Sequence, residues 1–388
     1  MSTLIDLAGR LRPLSETRPI PLIARITTDA GFAGRKADAA LLIRGEGALV
    51  EGFGSYLVDV DSRGDYPPNT YLVPRQLGYL ADGDVVRIDP IRRRLQSLYR
   101  RNSASNSLLV TERCDNFCIM CSQPPKAADD SWLIDELLRV VPLIDRETEA
   151  LGITGGEPGL LGQRLLDLLS AIRTHLPDTA VHILSNGRAF AEMSFARALA
   201  RIGITDLMVG IPLYSHLPED HDFVVQARGA FDQAVRGVLN LKRAGVRIEL
   251  RFVVHRETAA ALPSFADFVA KNLVFVDQVA LMGLELMGFA RANAGALWID
   301  PVDYSPDLER AVQTLDRARV RVSIYNHQLC VLPKSLHRFN RRSISDWKNW
   351  YPDECAGCEQ RAACGGFFVS SNLRRSRGIA AVKKETLS

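Results

Sequence analysis

The seven cysteines of this 388-residue chain stand in two groups: Cys114, Cys118 and Cys121, then Cys330, Cys355, Cys358 and Cys364. A disulfide framework uses an even count spread so as to staple a small fold. An odd count clumped in two places points instead to metal ligation in a reducing compartment. The length allows roughly two to four domains around those thiols. With 47% hydrophobic and 24% charged residues the chain is an ordinary globular protein, which excludes wholly disordered and collagen-like classes. The balance of 48 Lys+Arg against 45 Asp+Glu leaves a formal charge of +3, too small to argue for nucleic acid or an anionic membrane as partner. Asp6, Arg10 and Arg12 interrupt the opening before an apolar run develops. No later run approaches the roughly 18 apolar residues of a membrane span, so the expectation is a soluble, cytoplasmic protein.

The first hundred residues read as short strands cut by turns. Ala39–Ile43, Ala48–Glu51 and Tyr56–Val60 are apolar or alternating runs, broken by Gly45, Gly47, Gly52, Gly54 and Gly64, and Leu80–Pro90 reads as a turn entering a strand. A small β-rich domain over residues 1–104 is expected, with the arginines at 92, 93, 94, 100 and 101 read as a solvated linker. From Ser107 the texture changes. Strands are expected at Ser107–Thr111, Ala150–Thr154, Ala180–Ser185, Asp206–Ile211, Arg247–Val254 and Val276–Met282. Between them lie amphipathic stretches at Ser131–Asp145, Leu160–Leu176, Phe190–Ile202, Val224–Ala244 and Pro263–Asn272, with Ser131 read as a helix cap. Such alternation implies parallel pairing, and hence an α/β fold with a partial (β/α)6 barrel over residues 105–302. Chemistry in such barrels sits at the C-terminal ends of the strands. Residues 303–388 begin with a helix at Ser305–Ala318 and a strand at Arg319–Tyr325. The pattern then weakens into a Cys-, Arg- and Trp-rich segment, Asn340–Gly366, whose thin core a metal would staple, and a frayed basic tail after about Asn372.

Cys114-Asp-Asn-Phe-Cys118-Ile-Met-Cys121 follows directly on the first expected barrel strand. Three thiolates on one loop can wrap three corners of a four-iron cluster and leave the fourth iron open. A structural zinc loop would need a fourth ligand, and none follows nearby in the usual paired spacing. The next strand ends in Gly155-Gly156-Glu157. Two glycines there permit close approach of a backbone, and Glu157 offers an acceptor for an ammonium group.

The C-x3-C-x2-C loop and the GGE element together resemble the radical S-adenosylmethionine (SAM) superfamily. That resemblance implies a [4Fe–4S] cluster on Cys114, Cys118 and Cys121 whose free iron binds SAM. An electron from the cluster, fed by an external donor, cleaves SAM to a 5′-deoxyadenosyl radical that abstracts hydrogen from substrate. It further implies cofactor contacts at Met120 (where the family prefers an aromatic), Gly155, Gly156, Glu157, Ser185, Asn186, Arg251 and Gly283. Glu285 would line the adenine side, while Tyr214, His216 and His255 at strand ends could face substrate. Cys330 with Cys355-x2-Cys358-x5-Cys364 resembles the auxiliary-cluster segment of SPASM and twitch domains, implying a second [4Fe–4S] cluster, although four cysteines would equally hold zinc. The order of these parts is similar to that of HxsC-type maturases of the His-Xaa-Ser system, implying a peptide or small protein substrate and a second radical SAM protein as partner. Two readings stay open beside it: a radical SAM enzyme acting on RNA or a small metabolite, and a zinc-stapled binding module without turnover.

Overall fold

The computed structural model describes residues 6–45, 47–62, 65–342 and 350–383. The expected turn at Gly64 and part of the segment between Asn340 and Gly366 lie outside them. Strands β1 (Ala8–Arg10), β2 (Arg12–Pro13), β3 (Leu22–Thr27), β4 (Ala39–Ile43), β5 (Ser55–Val58), β6 (Thr70–Leu72), β7 (Val85–Asp89) and β8 (Arg94–Tyr99) form one mixed sheet in the order β1-β8-β7-β3-β4-β5-β6-β2. Ala48–Glu51 is not a strand. Flanked by glycines, it packs Leu49 and Val50 against a small apolar cluster, and the Val50 carbonyl accepts from the Tyr56 hydroxyl at 3.1 Å. The arginine-rich stretch is not a linker either. Arg92 and Arg93 make a hairpin turn, and Arg94 opens β8, where Leu95, Ser97 and Tyr99 alternate inward.

The second sheet is parallel throughout and runs β9 (Asn106–Thr111), β10 (Ala150–Gly155), β11 (Ala180–Leu184), β12 (Leu207–Pro212), β13 (Arg247–Val254), β14 (Gln278–Gly283) and β15 (Val322–Tyr325) in chain order. A seventh strand thus adds to the six expected in the barrel, and the sheet stays open between β9 and β15. Helices α1 (Trp132–Val140), α2 (Gln163–His175), α3 (Met193–Arg201), α4 (Pro218–Val225), α5 (Ala230–Arg243), α6 (Arg256–Ala259), α7 (Leu262–Asn272), α8 (Gly288–Ala292), α9 (Ala294–Leu297) and α10 (Pro301–Arg317) fill the connections.

Side-chain alternation explains the layering. Leu151, Ile153, Val181, Ile183, Val209, Ile211, Ile248, Leu250, Phe252, Val279 and Leu281 belong to one buried core shared with the helices. The residues between them line the concave side, where Arg251 donates to Glu249 at 2.6 Å and Gln278 to the same carboxylate at 2.7 Å. Ile23, Val85 and Tyr99 of the first sheet join the core of the second, and Arg87 pairs with Glu136 of α1 at 2.9 Å.

Three helical expectations are corrected. Val224–Ala244 is two helices, because Gln226 and Gly229 take positive φ of 53° and 74° and break the run. Ser131 is helical and caps nothing; its N–H instead donates to Asp129 at 3.0 Å. The helix expected at Ser305 begins earlier, at Pro301, where Asp300 caps it by accepting from Val302 N–H at 3.1 Å. Among the described residues no helix is long and apolar enough to cross a membrane.

Candidate functional site

Parallel pairing brings every β9–β15 strand end to one side of the sheet, so segments far apart in sequence meet there. The cysteine loop leaves β9 after Thr111. Asp130 holds its root, accepting from the Thr111 hydroxyl at 2.9 Å and from the Glu112 N–H. Its middle lies along the end of α4, where Phe117 and Ile119 N–H groups donate to Val225 and Val224 carbonyls, each at 3.0 Å. The far end meets α8. Phe289 N–H donates to the Cys121 carbonyl at 2.8 Å, and Gly288, at φ 52°, passes so near that a Cβ would stand 2.5 Å from that oxygen.

All three thiols are half-buried or deeper. Burial, helped by Glu157, Asp115 and Cys121, pushes Cys114 up to about 11, and burial, helped by Cys121 and Cys114, pushes Cys118 up to about 12. Burial raises Cys121 as well. Metal binding displaces such protons, since only thiolates ligate. Met120 is buried with Tyr214, Val224, Val225, Ala290 and Leu297 in an apolar cluster behind the loop.

The two glycines of the GGE element serve backbone against backbone. A Cβ on Gly155 would run into the Thr111 carbonyl oxygen, and one on Gly156 into that of Arg113. Gly156 and Glu157 N–H groups donate to those same carbonyls at 2.8 Å, which sews the end of β10 to the base of the cysteine loop. Glu157 is 1% exposed. Its carboxylate accepts from Gly159 N–H at 2.6 Å, the Ser185 hydroxyl at 2.7 Å and Asn186 N–H at 2.5 Å. Burial outweighs those donors and lifts it to about 7.

Asn186 in turn donates to Asp115 at 2.6 Å. Beside it stands Arg188, which sequence reasoning did not single out. Its guanidinium donates to the Asp115 carbonyl and to Asn116 Oδ1, both at 2.8 Å, so the third strand end grips the loop between its first two cysteines. The only signal was an arginine two residues beyond the Ser185-Asn186 strand end.

The other candidates are dispersed along the same rim. Arg251 is held by Glu249 and by the Met282 sulfur at 3.2 Å. Gly283 packs beside Asn326, whose carbonyl would lie 2.7 Å from a Cβ there. Glu285 is partly buried, as is His216, and His216 Nδ1 has no hydrogen-bond partner among the described residues. Tyr214 is buried and stacks on His221 with ring centroids 5.8 Å apart. His255 is fully buried, and neither of its ring nitrogens has a hydrogen-bond partner among the described residues.

Beyond β15 the four remaining cysteines line one small cavity, with Tyr351 and Arg361 in its wall. Burial raises both Cys330 and Cys355, and the other thiols of the group add to each shift. Among the described residues no three His, Cys, Asp or Glu side chains converge as one metal ion requires. A lone zinc needs sulfurs drawn in to about 2.3 Å. A cubane takes thiolate sulfur at separate iron corners, and both groups supply that donor chemistry, three thiols on one loop and four in the wall of one cavity.

Residues 108–269 match the profile of the Radical SAM superfamily. That superfamily uses a [4Fe–4S] cluster and SAM. The chain is 22% identical over 182 residues to Fe-coproporphyrin III synthase of Methanosarcina barkeri, a match covering 42% of this chain and 40% of that protein. Over 101 residues it is 33% identical to GTP 3′,8-cyclase of Desulforamulus reducens, covering 25% and 31%. It thus spans less than half the length of either relative. The crystal structure of Streptococcus suis SuiB bound to S-adenosylmethionine is similar at 15% identity and a TM-score of 0.45, covering 59% of this chain and 52% of SuiB.

Proposed function

We propose that the chain is a radical SAM enzyme that modifies a ribosomally made peptide or small protein of the His-Xaa-Ser repeat type. In this reading residues 105–302 are the catalytic barrel, 303–388 the auxiliary-cluster part, whose α10 and β15 extend the barrel sheet and core, and 1–104 a β-rich leader. The observation that carries it is the half-buried triad Cys114, Cys118 and Cys121 in the segment that matches the Radical SAM superfamily, gripped by three different strand or helix ends. Cys114, Cys118 and Cys121 would hold the cluster, which, when reduced by an external donor, would supply the electron for reductive cleavage of bound SAM.

The protein's own share is positioning and exclusion of water. Arg188, Asp130 and the α4 carbonyls hold the loop, while Glu157 locks the ends of β10 and β11 beneath it. The apolar cluster around Met120 and Tyr214 keeps water from the thiol side. A peptide substrate would meet a small, partly polar depression lined by Leu284, Asn326, Gln328, Gly366, Phe368 and Ser371. It lies between the barrel mouth and the four-cysteine cavity, and Gln328 lines both.

The test is anaerobic reconstitution with iron and sulfide, followed by SAM and dithionite. 5′-Deoxyadenosine is expected from the parent and none from Cys118→Ala, and a synthetic His-Xaa-Ser repeat peptide is expected to change mass only with the parent. A loaded parent that makes no 5′-deoxyadenosine would end the enzymatic reading. An unchanged peptide beside active SAM cleavage would end the substrate reading alone.

A further inference from the structure

The residues after Asn372, read from sequence as a frayed tail, are tied down at several points up to Lys383, the last residue described there. Arg375 pairs with Glu354, the neighbour of Cys355, at 3.1 Å. Ser376 donates to Asp300 at 2.5 Å, and Arg377 N–H donates to the other oxygen of that carboxylate at 3.0 Å. The Arg377 guanidinium also reaches Asp303. Asp300 already caps α10, so the tail is latched to the start of a rigid helix. Gly378 then passes so close over α10 that a Cβ would stand 2.8 Å from a Val302 methyl.

Beyond this latch the chain turns over the four-cysteine cavity, and Ala380 and Val382 form part of its wall. Val382 N–H points at the Cys358 sulfur, 3.4 Å away, while its carbonyl accepts from Glu359 N–H at 3.0 Å. Ala380 stands in the cavity wall with Cys330. One of the four thiols thus takes a backbone donor from the tail. Donors to ligating sulfurs, together with exclusion of solvent, govern how tightly such a centre is held and how it behaves in redox steps.

We propose that residues 375–383 are a strap that closes the four-cysteine site, with the Asp300 and Asp303 carboxylates as its latch and the Val382 backbone as its sulfur donor. The proposal rests on the reading of that site as an iron–sulfur centre. It assigns the C-terminal segment a defined task, retention of the auxiliary cluster, that neither its basic composition nor the cysteine spacing indicates.

The experiment uses the full chain carrying Cys114→Ala, Cys118→Ala and Cys121→Ala, so that any iron reports on the C-terminal site alone. After anaerobic reconstitution, iron loss to an excess of chelator is followed by absorbance. Two variants are made in this background. Ser376→Ala with Arg377→Ala removes every side-chain contact of the latch and leaves only the Arg377 N–H on Asp300, and Val382→Pro removes the donor to Cys358 while leaving the latch intact. Both are expected to load iron as the parent does and to lose it about tenfold faster. Loss at the parent rate in both variants would overturn the strap while leaving the iron–sulfur reading standing. A parent that binds no iron would overturn the iron–sulfur reading of the four cysteines, and the strap with it.

Discussion

Arg188 clasps Asp115: its Nη1 donates to the Asp115 carbonyl oxygen at 2.8 Å and stands 3.0 Å from the Asp115 carboxylate. Asp115 is the residue after the first cysteine of the loop, and Arg188 lies four residues past the end of β11, so the clasp fixes the thiols to a different β/α unit from their own. Much of the guanidinium is shielded, with side-chain exposure of 18%, so the pair should hold better than a surface ion pair. Arg188→Ala is expected to weaken iron retention at Cys114, Cys118 and Cys121 by about tenfold while leaving the C-terminal cysteines loaded. Iron analysis after mild chelation checks it: content should fall from about eight toward about four per chain, four being one cubane.

Gly156→Ala places a methyl against the Arg113 carbonyl, which is backbone and cannot swing aside. The expected outcome is separation of the β10 end from the cysteine loop, with loss of the two N–H donations that join them. A destabilisation of about 2–4 kcal/mol is reasonable for a forced backbone shift at a buried site. Chemical unfolding measures this, and a loss of iron binding at the first site should accompany it. Gly162→Ala, where nothing stands within 4 Å of a Cβ, serves as the contrast, its cost coming from positive φ alone.

The architecture was legible where one physical signal dominated. Strands β10 and β13 alternate or run apolar between clear turn residues, and the structure has them within a residue of their expected bounds. The signal failed where two were superposed. In β8, a strand that pairs with β7 beside it and with β1 more than 80 residues earlier, the arginines hid the alternation of Leu95, Ser97 and Tyr99. In Val224–Ala244 the apolar period ran through a break that only the positive φ of Gln226 and Gly229 creates. Within the site the ligands themselves were readable because thiols in a clump have few other uses. Arg188, Asp130 and the tail were not, since what they do depends on partners brought near only by parallel pairing of distant strands.

Tyr304 and His327 show how buried polar groups are paired at the base of the C-terminal part. The Nδ1 of His327 lies 2.8 Å from the Tyr325 carbonyl, which can only accept, so Nδ1 carries the proton. Nε2 must then accept, and the Tyr304 hydroxyl donates to it at 2.7 Å. Tyr304→Phe leaves that nitrogen buried without a donor, at a cost of about 1–3 kcal/mol. Thermal unfolding checks it, with a melting temperature lowered by a few degrees expected and no change in iron content.

His221, His255 and His327 are each about 1% exposed or less, and burial lowers all three to about 4. In the unfolded chain a histidine takes its proton near 6.5. Between those values the unfolded state binds more protons than the folded one, so stability is fully present above about 6.5 and is lost as pH falls toward about 4. His255 is the informative member because, among the described residues, its ring nitrogens have no hydrogen-bond partner to forfeit. His255→Leu should leave stability at pH 7 unchanged or slightly higher, since an apolar side chain replaces an unpaired polar one. It should also flatten the acid decline by on the order of 2–3 kcal/mol between pH 7 and pH 4. Urea unfolding of the iron-free chain at several pH values separates this from acid release of iron. A parallel decline in parent and variant would show that His255 takes its proton in the folded state as readily as in the unfolded one.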